Sequence, residues 1–197
     1  VGYPGVGHDL NPQTADPSVI RIRPTKIIED ELNNMIVADD MSHVVWYYNK
    51  LGYAVTKYNQ TIAAGKMKVI LGAGSNGNSN VSNTTVGGTA GLQYKLSTPN
   101  SLAYDPVGKV LYIADYNNHR VLSLPDSTDY PQLFLGGTAN NSAAYNVAND
   151  WGRNHGCANP SDLAFKGTGA SRVVYVTCYQ SNAIKVVNAD INDSSNY

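Results

Sequence analysis

A chain of 197 residues is long enough for one sizeable domain with a core of its own. Only 15% of its residues are charged, the net charge is −1 and no three basic residues stand together, which excludes the basic face that phosphate contacts with nucleic acid require; no apolar run approaches the roughly 18 residues of a membrane span. With 22 Asn and 18 Gly, the composition is that of an uncharged, turn-rich, all-β chain.

The chain opens at Val1 without a signal segment, as a processed protein or a piece of a longer one does. Residues 1–16, rich in Gly and Pro, read as an extended arm suited to a neighbouring sheet edge. Pro17-Ser-Val-Ile-Arg-Ile-Arg-Pro24 then opens with Pro and a small polar residue and alternates, the start of a short strand. After a polar loop at 25–34, MIVADDMSHVVWYY at 35–48 places two apolar strands around a polar turn, a β-hairpin. A second polar loop covers 50–66, KVILGAG at 68–74 is an apolar strand ending in Gly-rich chain, and a third polar loop covers 75–95. The same order recurs in Pro99-Asn-Ser-Leu-Ala-Tyr-Asp-Pro106, in LYIADYNNHRVLSL at 111–124 and in QLFLGGT at 132–138. After a loop at 138–156 it recurs once more in Pro160-Ser-Asp-Leu-Ala-Phe-Lys-Gly167 and VYVTCYQSNAIKVV at 174–187, stopping after a third strand near Asn188. Asp39, Asp115 and Cys178 coincide in this repeat, as do His43, His119 and Asn182.

Four antiparallel strands per repeat is the plan of a propeller blade. The repeats are longer than the roughly 40–50 residues of an ordinary blade, with the excess in the polar loops. The second repeat, PNSLAYDPVGKVLYIADYNNHRVLSL, carries a leading Pro, a D-P-x-G-x-L-Y-x-A-D box and N-H-R-V. In these it resembles the NHL-repeat family, most closely over 99–138. The first repeat keeps Ala-Asp and His but has Val44 where the Arg stands, and the third keeps only the pattern. The resemblance implies an all-β fold of NHL-like β-propeller blades, each of four antiparallel strands. About three blades are expected, at 17–74, 99–138 and 160–197, the third incomplete. Propellers close with four to eight blades, so the ring is expected to be open or completed by further chain. Alternation places Leu102, Tyr104, Leu111, Ile113 and Val121 between blades.

The sharpest local signal is the Asp-x-x-x-His turn at Asp39–His43 and Asp115–His119. An aspartate at a strand end accepts backbone N–H groups two residues on and closes the turn, leaving His119 and Arg120 to brace neighbouring chain. This structural account is preferred to a metal or acid–base site, because equivalent residues of different blades lie far apart. Among NHL-like propellers, the peptidyl-hydroxyglycine amidating lyase implies zinc held by histidines, at least one directly after the strand-opening Pro. Those places here are Ser18, Asn100 and Ser161, none of which replaces imidazole, while His8 and His155 fall in the arm and in a loop. Asp39-Asp40 lacks the spaced oxygen ligands of a calcium loop. Gly72-Ala-Gly-Ser-Asn-Gly77 lacks the Lys-Ser/Thr of a phosphate cradle and reads as a loop leaving a strand. Trp46-Tyr47-Tyr48 lies on a strand and reads as blade packing rather than a sugar platform. No catalytic residue, metal or cofactor is expected.

Cys157 precedes Pro160 by three residues and Cys178 ends the next strand, positions that antiparallel neighbours bring together. One disulfide is expected, with a buried free-thiol pair as the alternative. Five N-x-S/T sequons occur, at Asn59, Asn80, Asn83, Asn140 and Asn192, the first four in predicted loops where a glycan is solvated. Bridge and sequons together tilt the compartment toward extracellular or cell surface. The expected function is that of a non-catalytic extracellular glycoprotein module, a structural or interaction unit of a cell-surface or filamentous assembly. Its expected partners are other protein chains, by self-association or as further blades, and N-linked glycans. The alternatives are a ligand-binding ectodomain of a larger surface receptor and, less favoured, a lyase-like zinc enzyme.

Overall fold

The computed structural model describes residue 20 and residues 22–77, 91–136 and 156–189. The first unit runs through β1 (Pro24–Glu29), β2 (Met35–Asp39) and β3 (Val44–Tyr48). A small inserted hairpin follows, β4 (Val55–Lys57) and β5 (Gln60–Ile62), and then β6 (Met67–Leu71). The second unit is β7 (Pro99–Asp105), β8 (Val110–Asp115), β9 (Arg120–Pro125) and β10 (Gln132–Gly136). The third is β11 (Pro160–Lys166), β12 (Val173–Cys178) and β13 (Ala183–Asn188). Each unit is one antiparallel sheet, in the orders β1-β2-β3-β6, β7-β8-β9-β10 and β11-β12-β13. They are the blades of a partial β-propeller.

The register repeats from blade to blade. Pro24 lies opposite Asp39, Pro99 opposite Asp115 and Pro160 opposite Cys178, each followed by a register shift. The first blade therefore begins at Pro24 and not at Pro17, and residues 25–34 are β1 with its turn rather than an insertion. Both prolines open a polar-then-apolar run, and the following turn decides between them. Asp30 Oδ1 accepts the N–H groups of Leu32 and Asn34, each at 2.9 Å, as Asp105 Oδ1 accepts those of Val107 and Gly108, each at 2.9 Å. The residue after the leading Pro is thus Thr25 in this blade; Ser18 and the arm at 1–16 lie outside the described residues.

At the tips of the β2–β3, β8–β9 and β12–β13 hairpins stand His43, His119 and Asn182, with φ of 55°, 53° and 48°. This left-handed conformation disfavours branched and bulky side chains but is tolerated by His and Asn. Neither loop expected at 50–66 nor that at 75–95 is wholly irregular. Tyr58 and Ile62 of the inserted hairpin, with Tyr94 and Leu96, are buried in the core between blades one and two. Lys57 Nζ lies 2.7 Å from Glu31 and 2.7 Å from Asp126, and the Tyr58 N–H donates to the Asp126 carbonyl at 2.6 Å. The insertion is a clamp across two blades.

The core is built from facing sheets. Blade one presents Ile36, Ala38, Val45 and Tyr47 to Leu102, Tyr104, Leu111 and Ile113 of blade two, all buried. On its other face blade two presents Tyr112, Ala114 and Val121 to Leu163, Val174 and Val176 of blade three. The outer face of blade one, with Val37, Trp46 and Val69, packs against Ile20 and Ile22 of the chain that precedes β1. Trp46 and Tyr47 are both packing residues.

Candidate functional site

The first two hairpin turns each reach forward to the next blade. The Thr98 N–H, one residue before Pro99, donates to His43 Nδ1 at 3.0 Å. The Asn159 N–H, one residue before Pro160, donates to His119 Nδ1 at 3.2 Å. A ring nitrogen that accepts is unprotonated, so both imidazoles are neutral with the proton on Nε2. Burial holds both below the ordinary 6.5; Asp40, Asp115 and Asp39 pull His43 back upward while Arg23 pushes it further down, and Asp115 pulls on His119. The histidines are therefore blade-to-blade latches, and each works with a different blade.

The aspartates differ from the simple turn closure that their spacing suggests. Asp39 accepts the Ser42 N–H at 3.1 Å and the Ser42 hydroxyl at 2.6 Å, three residues on, and Trp46 Nε1 donates to it at 3.4 Å. Asp115 accepts the side-chain amide of Asn118 at 2.8 Å, Arg120 Nε at 2.8 Å and the Ser97 N–H at 2.7 Å. Asp115 and Arg120 are fully buried together. The guanidinium donates on to the Lys95 carbonyl at 3.3 Å and lies 5.1 Å from the centre of the Tyr94 ring. Asp115 and Arg120 thus tie the end of β8 to the segment that enters β7. In blade three the same tie is covalent. Cys178, at the position of Asp115, is bonded to Cys157 in the segment that enters β11, with Cα atoms 5.0 Å apart.

Two of the residues after the leading prolines are committed to the neighbouring blade, and the third to its own. Thr25 Oγ1 donates to the Pro99 carbonyl at 3.1 Å, and Asn100 Nδ2 to the Ser161 carbonyl at 2.9 Å. Ser161 Oγ stands 2.9 Å from Thr177 Oγ1. Threonine, asparagine and serine side chains engaged in these hydrogen bonds do not fit the zinc that an amidating lyase needs there. His8 and His155 lie outside the described residues, as do the sequons at Asn80, Asn83, Asn140 and Asn192. Asn59 is described: it is exposed at the tip of the β4–β5 hairpin, where its Nδ2 donates to Asp129 at 3.0 Å.

Two surface features remain. Between β1, β7 and β11 runs a groove of about 320 Å³, walled by Ile28, Leu102, Tyr104, Leu163 and Phe165 beside Lys26 and Glu29. Lys26 there pairs with Asp162 at 2.8 Å, across from blade one to blade three. The second feature is the far face of blade three. By register, Tyr175 and Thr177 occupy the places of Tyr112 and Ala114, and Ile184 and Val186 those of Val121 and Ser123. In blade two that face is buried; in blade three Ile184 is 70% and Val186 43% exposed. The sequence pattern located this blade, but the exposure follows from the stacking order, which only the assembled sheets reveal.

The NHL repeat family model matches residues 96–122, which span β7, β8 and the start of β9. No curated protein matches the chain. Among solved structures, the chain is similar to a structural-genomics protein of unknown function from Bacteroides thetaiotaomicron VPI-5482. Identity is 14%, with a TM-score of 0.53, covering 81% of this chain and 34% of that one. It is also similar to an auxiliary nutrient binding protein from the same organism, at 12% identity and a TM-score of 0.54, covering 81% of this chain and 36% of that one. The likeness is one of fold, and the chain spans about a third of the length of either structure.

Proposed function

From a chain that carries an NHL repeat within a stack of propeller blades, we propose a non-catalytic, extracellular glycoprotein module that joins other protein chains through its third blade. The observation that carries this reading is the exposure of Ile184 at 70%, at a position that is fully buried in both preceding blades as Val45 and Val121. An apolar blade face of this kind is stable when another apolar surface covers it. The polar groups at the blade junctions support a structural rather than a chemical role, because Thr25, Asn100, His43 and His119 all hold backbone groups of the next blade. The Cys157–Cys178 bridge and the exposed sequon at Asn59 favour an oxidising, glycosylating compartment. Among the described residues no helix is long and apolar enough to cross a membrane.

The test is sedimentation velocity on the chain produced through a secretory pathway, beside an Ile184→Asp variant. The exposed position tolerates the charge, so the variant is expected to fold. The wild type is expected to sediment as a reversible multimer, and the variant as one chain of 21.1 kDa plus its glycans. A wild type that stays monomeric at every concentration contradicts the reading.

A further inference from the structure

The first strands of the three blades, β1, β7 and β11, share one groove of about 320 Å³, at the small end of the roughly 300–1,000 Å³ of ligand pockets. Each blade gives it one large apolar wall residue: Ile28 from the first, Tyr104 from the second and Phe165 from the third. Its floor is set by packing. Leu102 and Leu163 are core residues, 1% and 3% exposed, and the Tyr104 hydroxyl donates to Glu31, which fixes the ring. Ala164 is exposed and lines the same groove, so a larger side chain there would fill it.

One end carries two opposite charges. Lys26 Nζ donates to Asp162 Oδ1 at 2.8 Å, from blade one to blade three. Ser101 of blade two, itself 1% exposed, donates its hydroxyl to the same oxygen at 2.7 Å and accepts the Leu163 N–H at 3.1 Å. Burial opposes ionisation of Asp162, but Lys26, the Ser101 hydroxyl and the Leu163 N–H outweigh it and hold the carboxyl below its usual range. The carboxylate is therefore charged at neutral pH and held in place from all three blades. The pair is still open to a ligand, with side chains 32% and 59% exposed. Lys26 has further ammonium hydrogens to give, and Asp162 presents a second oxygen, Oδ2. Three residues along β1, Glu29 is engaged with Lys50 at 3.0 Å.

This charge arrangement selects among small molecules. A lone anion drawn to Lys26 stands beside Asp162, and a lone cation drawn to Asp162 stands beside Lys26, so either gains little. A molecule whose two charges are one carbon apart meets each with its opposite. We propose that the groove binds a free α-amino acid with a large apolar side chain, its carboxylate on Lys26, its ammonium on Asp162 and its side chain between Ile28, Tyr104 and Phe165. Two aromatic walls favour an aromatic side chain. One such ligand touches all three blades, so binding stabilises the stack as a unit. This role goes beyond the docking of blade three and does not depend on it.

The probe is L-phenylalanine, titrated calorimetrically into the full wild-type chain and into Ile184→Asp. It is compared with N-acetyl-L-phenylalanine, which lacks the ammonium, with L-phenylalaninamide, which lacks the carboxylate, and with free glycine, which lacks the side chain. Phenylalanine is expected to bind both proteins equally, with a Kd of about 1 mM or tighter, and each analogue roughly tenfold more weakly or worse. It is also expected to raise the melting temperature and to slow hydrogen exchange in β1 and β11. Ala164→Trp, which fills the groove at an exposed position, and Lys26→Gln are each expected to lose roughly tenfold in affinity while still melting cooperatively. Should either variant fail to fold, the analogue series and the exchange pattern in the wild type decide. No saturable binding up to about 10 mM, equal binding of any analogue, undiminished binding to a folded Ala164→Trp, or protection outside β1, β7 and β11 overturns the proposal. Binding to the wild type but not to Ile184→Asp places phenylalanine on the blade-three face and overturns it too. None of these outcomes bears on whether the chain assembles, which the sedimentation experiment reads separately.

Discussion

His43 and His119 hold the blades together only as neutral acceptors, and this makes stability depend on pH. Each accepts one backbone N–H from the residue ahead of the next blade's leading Pro, at 3.0 and 3.2 Å. Burial keeps both below 6.5 in the folded chain. A base with a lowered folded pKa binds more protons when unfolded, so stability rises with pH through that window. The contribution is complete above the unfolded value of about 6.5 and is lost as pH falls below it, levelling beneath the folded values. Thermal melting between roughly pH 7.5 and pH 5 is expected to show a falling midpoint in the wild type and a flatter profile in His43→Leu/His119→Leu. An identical slope in both proteins contradicts the latch. The latch is legible in the sequence only in part: the Asp-x-x-x-His spacing marks a turn that leaves His119 to brace neighbouring chain, but the partners lie 55 and 40 residues away and carry no signal of their own. The Asp115–Cys178 equivalence was legible as a pattern, and its meaning, a hydrogen-bonded tie replaced by a disulfide, needed the positions of Ser97 and Cys157.

Strands with strong alternation and a distinctive turn are the elements that sequence reasoning located well. The β7–β8–β9 run carries the alternation and pairs from Pro99 to Pro125, with one register shift between Pro99 and Ser101. All five residues expected between blades are buried there, four toward blade one and Val121 toward blade three. Leu102 is 1% exposed in that core, so Leu102→Ala is expected to cost about 2–5 kcal/mol in urea unfolding. A loss under about 0.5 kcal/mol would place the residue outside a packed core. Pro17 and Pro24 open equally strand-like runs, so the sequence does not separate them, and Pro24 is set as the proline opposite Asp39 by the strand that runs on into the Asp30 turn. The β4–β5 hairpin is illegible in the sequence for a different reason. Its two-residue turn is Tyr58-Asn59, both at φ 53°, where a glycine would have signalled the turn. Its anchor to blade two is a lysine between two carboxylates, with no pattern in the sequence.

At the scale of the molecule, the described residues form a stack of three blades whose two outer faces differ. Ile20 and Ile22 pack on the outer face of blade one, while blade three leaves Ile184 and Val186 to solvent. The proposed extracellular placement has a check independent of the stack. Asn80 and Asn83 lie in the most polar stretch between the first two blades, outside the described residues, and at least one is expected to carry a glycan. Glycosidase treatment of protein from its native source should lower its mass and convert the modified asparagine to aspartate; an unchanged mass removes the main support for that compartment. The third blade is proposed as the place where another protein docks, and hydrogen exchange of β13 is the sharpest check on that role. In the assembled wild type, amides of Ala183–Asn188 are expected to exchange far more slowly than in monomeric Ile184→Asp. Equal exchange in the two proteins, with protection gained on another strand instead, would contradict it.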